Sequence, residues 1–134
     1  MKTSTQKLHL SDLKILVVDD DDDLRFLMAK ILRDEGYSVS EAASAREADE
    51  VALSQTPDLV LMDIGMPEED GLSAVWRMRE HPELAEVPVV IVSAYDSYDL
   101  RAEAAAEGCK AYLTKPLDLD SLTSVVGEIL GVIR

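Results

Sequence analysis

At 134 residues the chain is long enough to bury one real core and too short for two comfortable ones. Its 47% hydrophobic and 30% charged residues fit a globular protein, and no apolar run approaches the roughly 18–20 residues that cross a bilayer. A formal net charge of −14 opposes binding to phosphate backbones and anionic lipid, which excludes direct nucleic-acid and membrane partners and favours divalent cations or basic protein surfaces.

The first twelve residues, "MKTSTQKLHLSD", hold no apolar h-region and read as a flexible leader before a single domain over 13–134. Lys14–Val18 is an apolar run of strand type. Five aspartates follow it in "ILVVDDDDDLRFLM", and then Leu24, Leu27, Met28, Ile31 and Leu32 recur at helical spacing until Gly36. Asp22 is the expected cap of that helix, because Asp21 to Asp23 can each accept from exposed N–H groups and favour the positive end of the helix dipole. Tyr37–Ser40 is a weak second strand. Ser44 and Glu47 make a capping box for a second helix, which Pro57 keeps from extending. Leu59–Met62 is a third apolar run, and it stops at Asp63. Gly65, Pro67 and Gly71 mark a loop made acidic by Glu68, Glu69 and Asp70, and Leu72–Arg79 carries a third helix in which Trp76 reads as partial core. Val87–Val92 is a fourth strand, with Pro88 near its start. Ser97–Glu107 is an alanine-rich helix ended by Gly108, with Cys109 read as a small packing residue. Ala111–Leu113 is a fifth strand followed by Lys115-Pro116. Asp118 caps a last helix whose stripe is Leu122, Val125, Val126, Ile129, Leu130 and Ile133.

Five strands thus alternate with five helices over short connections. The strands are nearly continuous apolar runs, as expected when helices cover both faces of a parallel sheet, so the predicted fold is a doubly wound α/β sandwich. In such a sheet, sites form at the carboxyl edge where strand order reverses. Asp19 and Asp20, Asp63, Ser93 and Lys115 follow the first, third, fourth and fifth strands and should therefore converge. Carboxylates held close raise one another's pKa, and a hard divalent cation such as Mg²⁺ relieves them. Lys115 adds a compact positive charge and Ser93 a hydroxyl donor. A carboxylate can act as a nucleophile that forms an aspartyl-phosphate, and positioning plus electrostatics supply most of phosphoryl-transfer catalysis. Asp63, alone at a strand end before a Gly/Pro loop, is the candidate nucleophile.

The stretches "ILVVDDDDDLR", "PDLVLMDIGMPEEDGL", "PVVIVSA" and "AYLTKPL" resemble, in order and spacing over about residues 13–133, the receiver domain of two-component response regulators. The resemblance implies a flavodoxin-like (βα)5 sheet of strand order 2-1-3-4-5. It also implies Asp63 as phospho-acceptor and metal ligand, Asp20 as direct acidic metal ligand, Asp19 acting through metal-bound water and the Gly65 carbonyl completing the shell of Mg²⁺, or of Mn²⁺ in its place. Ser93 and Lys115 would contact the phosphoryl group, Pro116 would follow a cis bond, and Tyr112 would swing with Ser93. The implied partners are a sensor histidine kinase or histidine phosphotransfer protein and a downstream protein target, in a cytoplasm that the lone Cys109 also fits. Such a domain is a phosphoacceptor that assists its own phosphorylation and dephosphorylation rather than an enzyme. Gly65 and Tyr95 occupy positions that vary in the family, and together they suggest a long-lived phospho-form.

Other readings weigh less. A haloacid-dehalogenase-type phosphatase needs an aspartate where Gly65 stands. A calcium loop begun at Asp19 puts Leu24 where glycine is required and Lys30 where the bidentate glutamate belongs. The receiver portion of a longer regulator or hybrid kinase remains an alternative to output by the domain's own contacts or by phosphorelay. His9 and His81 fall in leader and helix exit, away from the chemistry. Gly127 and Gly131, four apart, offer a close-packing patch on the last helix, and the expected state is a monomer or weak homodimer.

Overall fold

The computed structural model describes residues 9–66 and 70–132. Pro67, Glu68 and Glu69 of the acidic loop, Ile133 of the last stripe and the first eight leader residues lie outside them. The elements are β1 (Lys14–Val18), α1 (Asp22–Glu35), β2 (Ser38–Ala42), α2 (Ala45–Ser54), β3 (Leu59–Asp63), α3 (Gly71–Met78), β4 (Val89–Ser93), α4 (Tyr98–Ala106), β5 (Ala111–Thr114) and α5 (Leu119–Leu130). All strand pairs are parallel, in the order β2-β1-β3-β4-β5.

Alternate strand residues feed two cores, one on each face of the sheet. Ile15, Val17, Leu59, Leu61 and Val90 pack with Met28 and Leu32 of α1 and with Leu122 and Val126 of α5. Leu16, Val18, Val60, Met62, Val89 and Ile91 pack under Ala48 and Ala52 of α2, Leu72, Val75 and Met78 of α3, and Ala104 of α4. β1 and β3 lie at the centre, so the residues just beyond their carboxyl ends are flanked by strands on both sides.

Several expectations move. The α1 cap is Asp21, not Asp22: its carboxylate accepts from the N–H groups of Asp23 and Leu24, while Asp22 already has helical backbone. The second strand starts one residue later and ends two residues later than its apolar content suggests, because pairing with β1 carries it through to Ala42. Tyr37 precedes it as a buried core residue. Leu10–Asp12, assigned by sequence to the leader, form a 3-10 turn. The Ser38 hydroxyl donates to the Ser11 carbonyl and Leu10 packs on the core, so the ordered fold begins before residue 13. Trp76 is 58% exposed, since Leu72, Ala74, Val75 and Met78 already fill the inward side of a helix only eight residues long. Gly131 ends α5 at φ 73°, a left-handed turn that favours glycine, whereas Gly127 is buried within the helix. The two glycines therefore do not form one flat helical patch.

Candidate functional site

The parallel topology carries the predicted groups to one edge. Asp19 leaves β1 fully buried (0% exposed), Asp63 ends β3 and is buried, and Ser93 ends β4 with no exposure. Lys115 directly follows β5, and its peptide bond to Pro116 is cis. Its Nζ lies 3.2 Å from Asp19 Oδ2 and 3.5 Å from Asp63 Oδ2, bridging the ends of the first and third strands. Asp20 is exposed at the rim. One carboxylate oxygen each from Asp19, Asp20 and Asp63 fall within 4.8 Å of one another.

Backbone N–H groups aim these carboxylates. Asp63 Oδ1 accepts from Gly65 N–H at 2.9 Å, and Asp19 Oδ1 from Asp21 N–H at 2.9 Å. Asp19 Oδ2 is buried and makes no hydrogen bond of acceptable geometry, though the Lys115 ammonium stands beside it. A buried carboxylate oxygen left without a hydrogen bond is costly. Together with two neighbouring carboxylates, it forms the hard oxygen donor set that a small divalent cation takes. The residues present fit such an ion.

The electrostatics agree. Burial pushes the Asp63 carboxyl up to about 6, the Gly65 N–H opposes that, and the charge of Asp19 adds to it while Lys115 works against it. Burial disfavours the Lys115 ammonium, but the carboxylates of Asp63 and Asp19 outweigh burial and hold its pKa above the ordinary lysine value. Positive charge is what the acid cluster needs, and one lysine supplies only part of it.

Ser93 Oγ accepts from Tyr95 N–H at 2.9 Å, which leaves its own proton for another acceptor. Tyr112 does not enter the carboxylate cluster. Its hydroxyl donates to the Tyr95 carbonyl at 2.6 Å, tying β5 to the loop after Ser93. The Arg101 guanidinium lies 4.7 Å from the Tyr112 ring centre and pairs with Asp96 of the same loop. A side chain built at Gly65 would meet Asp63 Oδ1 and Tyr95 Cε2, both at 3.5 Å, so the Tyr95 ring borders the acceptor.

Two residues escaped the sequence reading. Gly71 was only a loop marker, yet a β-carbon there would collide with the Asp63 carbonyl oxygen and with Met62, so α3 can start against the end of β3 only at a glycine. Arg25 is a charge in the inward stripe of α1, at helical spacing with Met28, Ala29 and Leu32. Its Nη1 donates to the Asp19 carbonyl at 2.8 Å, directly behind the acid pair. A cation three residues before a buried methionine was the available signal.

A family model described as response regulator receiver domain matches residues 15–127. The chain is 40% identical over 119 residues to an uncharacterized 14.6 kDa protein in the sodA1 3′ region of Leptolyngbya boryana, covering 89% of this chain and 91% of that one. It is 33% identical to sporulation initiation phosphotransferase F of Bacillus subtilis, covering 87% and 93%. With the regulatory protein AtoC of Escherichia coli it shares 37% identity over 87% of this chain, but it spans only 25% of AtoC's length. Among solved structures, chemotaxis protein CheY4 of Vibrio cholerae superposes with a TM-score of 0.84 at 28% identity, covering 87% of this chain and 98% of CheY4.

Proposed function

The chain belongs to the response regulator receiver domain family of two-component systems, and from that membership we propose that Asp63 accepts a phosphoryl group from the phosphohistidine of a sensor histidine kinase or histidine phosphotransfer protein. The observation that carries the assignment to Asp63 is its setting: a buried carboxylate at a central strand end, aimed by Gly65 N–H, with Lys115 Nζ 3.5 Å away. A carboxylate oxygen of Asp63 attacks phosphorus, the P–N bond to the donor histidine breaks, and the imidazole leaves with the electron pair. Lys115 offsets charge on the transferring oxygens, and Ser93 donates its free hydroxyl proton to one of them. Asp20 and Asp63 would hold Mg²⁺, or Mn²⁺ in its place, directly, with Asp19 acting through bound water and the Gly65 carbonyl completing the protein's share. When bound, the ion supplies the positive charge that lets three carboxylates ionise together and that neutralises the phosphoryl oxygens.

Ser93 turning toward the phosphoryl group gives up Tyr95 N–H, and Tyr112 is tied to the same residue's carbonyl. Tyr112 would therefore carry the change to the surface around α4 and β5, where a downstream protein partner reads it. This reading places the domain in the cytoplasm, as a monomer or weak homodimer; among the described residues no helix is long and apolar enough to cross a membrane.

Exposure to a small phosphodonor with Mg²⁺, followed by intact mass, tests the assignment. Wild type is expected to gain one phosphoryl group and Asp63→Asn none; no gain in wild type, or an equal gain in the variant, overturns it. The same samples give the lifetime. Gly65 provides no side chain to help an attacking water and the Tyr95 ring borders the acceptor, so decay is expected over minutes or longer. Decay within seconds contradicts that part.

A further inference from the structure

We propose that Arg25 is the positioning residue of the metal site, fixing the Asp19–Asp20 peptide so that the Asp20 carboxylate meets the cation. The inference rests on the proposed Mg²⁺ site and goes beyond it by assigning a role to a side chain outside the acid cluster.

Asp19 is pinned at every group but one. Its N–H donates to the Ala42 carbonyl at 3.1 Å, its Oδ1 accepts from Asp21 N–H, and its carbonyl accepts from Arg25 Nη1 at 2.8 Å. Asp20 is the opposite case. It is exposed, and among the described residues no hydrogen bond or ion pair holds its carboxylate. Its side chain is free to rotate, so what the fold fixes is where it starts, and the plane of the peptide before it is held by the carbonyl that Arg25 grips.

The grip is itself braced. Arg25 is only 7% exposed. Its Nη2 pairs with Asp22 at 2.7 Å, in the first turn of α1. Its Nε pairs with Glu41 of β2 at 3.3 Å, and Arg33 holds the other Glu41 oxygen at 3.2 Å. The guanidinium also sits 4.9 Å from the Phe26 ring centre. A planar fork with separate donors can reach three acceptors in fixed directions at once, which an ammonium on a flexible stem cannot. The fork thus couples the start of α1, the edge strand β2 and the peptide carrying the direct ligand. Groups behind the ligands of a metal are known to govern affinity in this way.

The sign of the effect separates positioning from charge. Removing a cation beside an acidic site should, by charge alone, tighten cation binding, and Arg25→Lys should leave it unchanged. Positioning predicts weaker binding in both variants.

Calorimetric titration with MgCl₂ of wild type, Arg25→Gln and Arg25→Lys, each shown folded by circular dichroism, decides. The dissociation constant is expected to rise about tenfold in both variants. Unchanged or tighter binding in Arg25→Gln, or wild-type affinity in Arg25→Lys, overturns the proposal. So does a lowered melting temperature with unaltered affinity, which assigns Arg25 to packing alone. Where Arg25→Gln does not fold, Arg25→Lys decides by itself. A wild type that takes up no Mg²⁺ overturns the metal site, and this role with it; a wild type that binds while both variants bind equally well overturns only the role of Arg25.

Discussion

At the residue scale, the five consecutive aspartates divide by what holds each of them. Asp19 is buried and aimed, Asp20 is exposed and unheld, Asp21 caps α1, Asp22 pairs with Arg25, and Asp23 sits in the first turn with its N–H on the Asp21 carboxylate. Asp63 shows the cost of gathering carboxylates, since burial raises it to about 6 against an ordinary value near 4. The folded state therefore binds this proton more tightly than the unfolded chain. The stability linked to it is fully present below the unfolded pKa and is lost as pH rises through about 6. In metal-free protein, the melting temperature of wild type relative to Asp63→Asn is expected to fall between about pH 4 and pH 7, as read by thermal melts across that range. A flat difference contradicts the perturbed setting of Asp63. Strand-end position already separated Asp19 and Asp20 from the helix start, but only burial and hydrogen bonding tell Asp19 from Asp20 and Asp21 from Asp22.

At the scale of elements, local chemistry predicted most of the strands and helices and erred at their ends. Ser44 and Asp118 cap their helices as read, and Gly36 ends α1 in a left-handed turn at φ 116°. The α1 cap shifted by one residue because three adjacent aspartates are chemically equivalent caps until the backbone direction is known. Gly71 is the strongest case of an element boundary that tertiary contact dictates. Its missing β-carbon leaves room for the Asp63 carbonyl oxygen at the start of α3. Gly71→Ala is expected to destabilise the fold by about 1–3 kcal/mol, as overpacking does, although alanine is the better helix former. Chemical denaturation measures it, and a stabilised variant would show that α3 can shift freely away from β3.

At the scale of the whole molecule, a five-stranded parallel sheet delivers five loop starts to one edge, and two buried cores fix where that edge is. The acid cluster there is a burden that a divalent cation would relieve. Mg²⁺ is expected to raise the melting temperature, with a stabilisation of about 2.7 kcal/mol at an ion concentration a hundred times the dissociation constant. Asp20→Asn should stabilise the metal-free protein and abolish most of that rise, whereas Asp23→Asn should leave the rise intact. Differential scanning calorimetry with and without Mg²⁺ checks both. The reverse pattern would show that the aspartate run is not divided between Asp20 and Asp21.

Apolar periodicity and strand-end chemistry were enough to determine the doubly wound class and to bring Asp19, Asp20, Asp63, Ser93 and Lys115 to one edge, because side-chain period and parallel winding follow from local pattern. What the sequence could not rank was environment. Trp76 faces out because Leu72, Val75 and Met78 occupy the inward side of α3, and Arg25 faces in because Glu41, from a different strand, meets it there. The first outcome turns on neighbours in the same helix, the second on a residue 16 positions away in the chain. A residue's spacing states which face it shares, but only the packed partner decides whether that face is core, solvent or the back of a charged site.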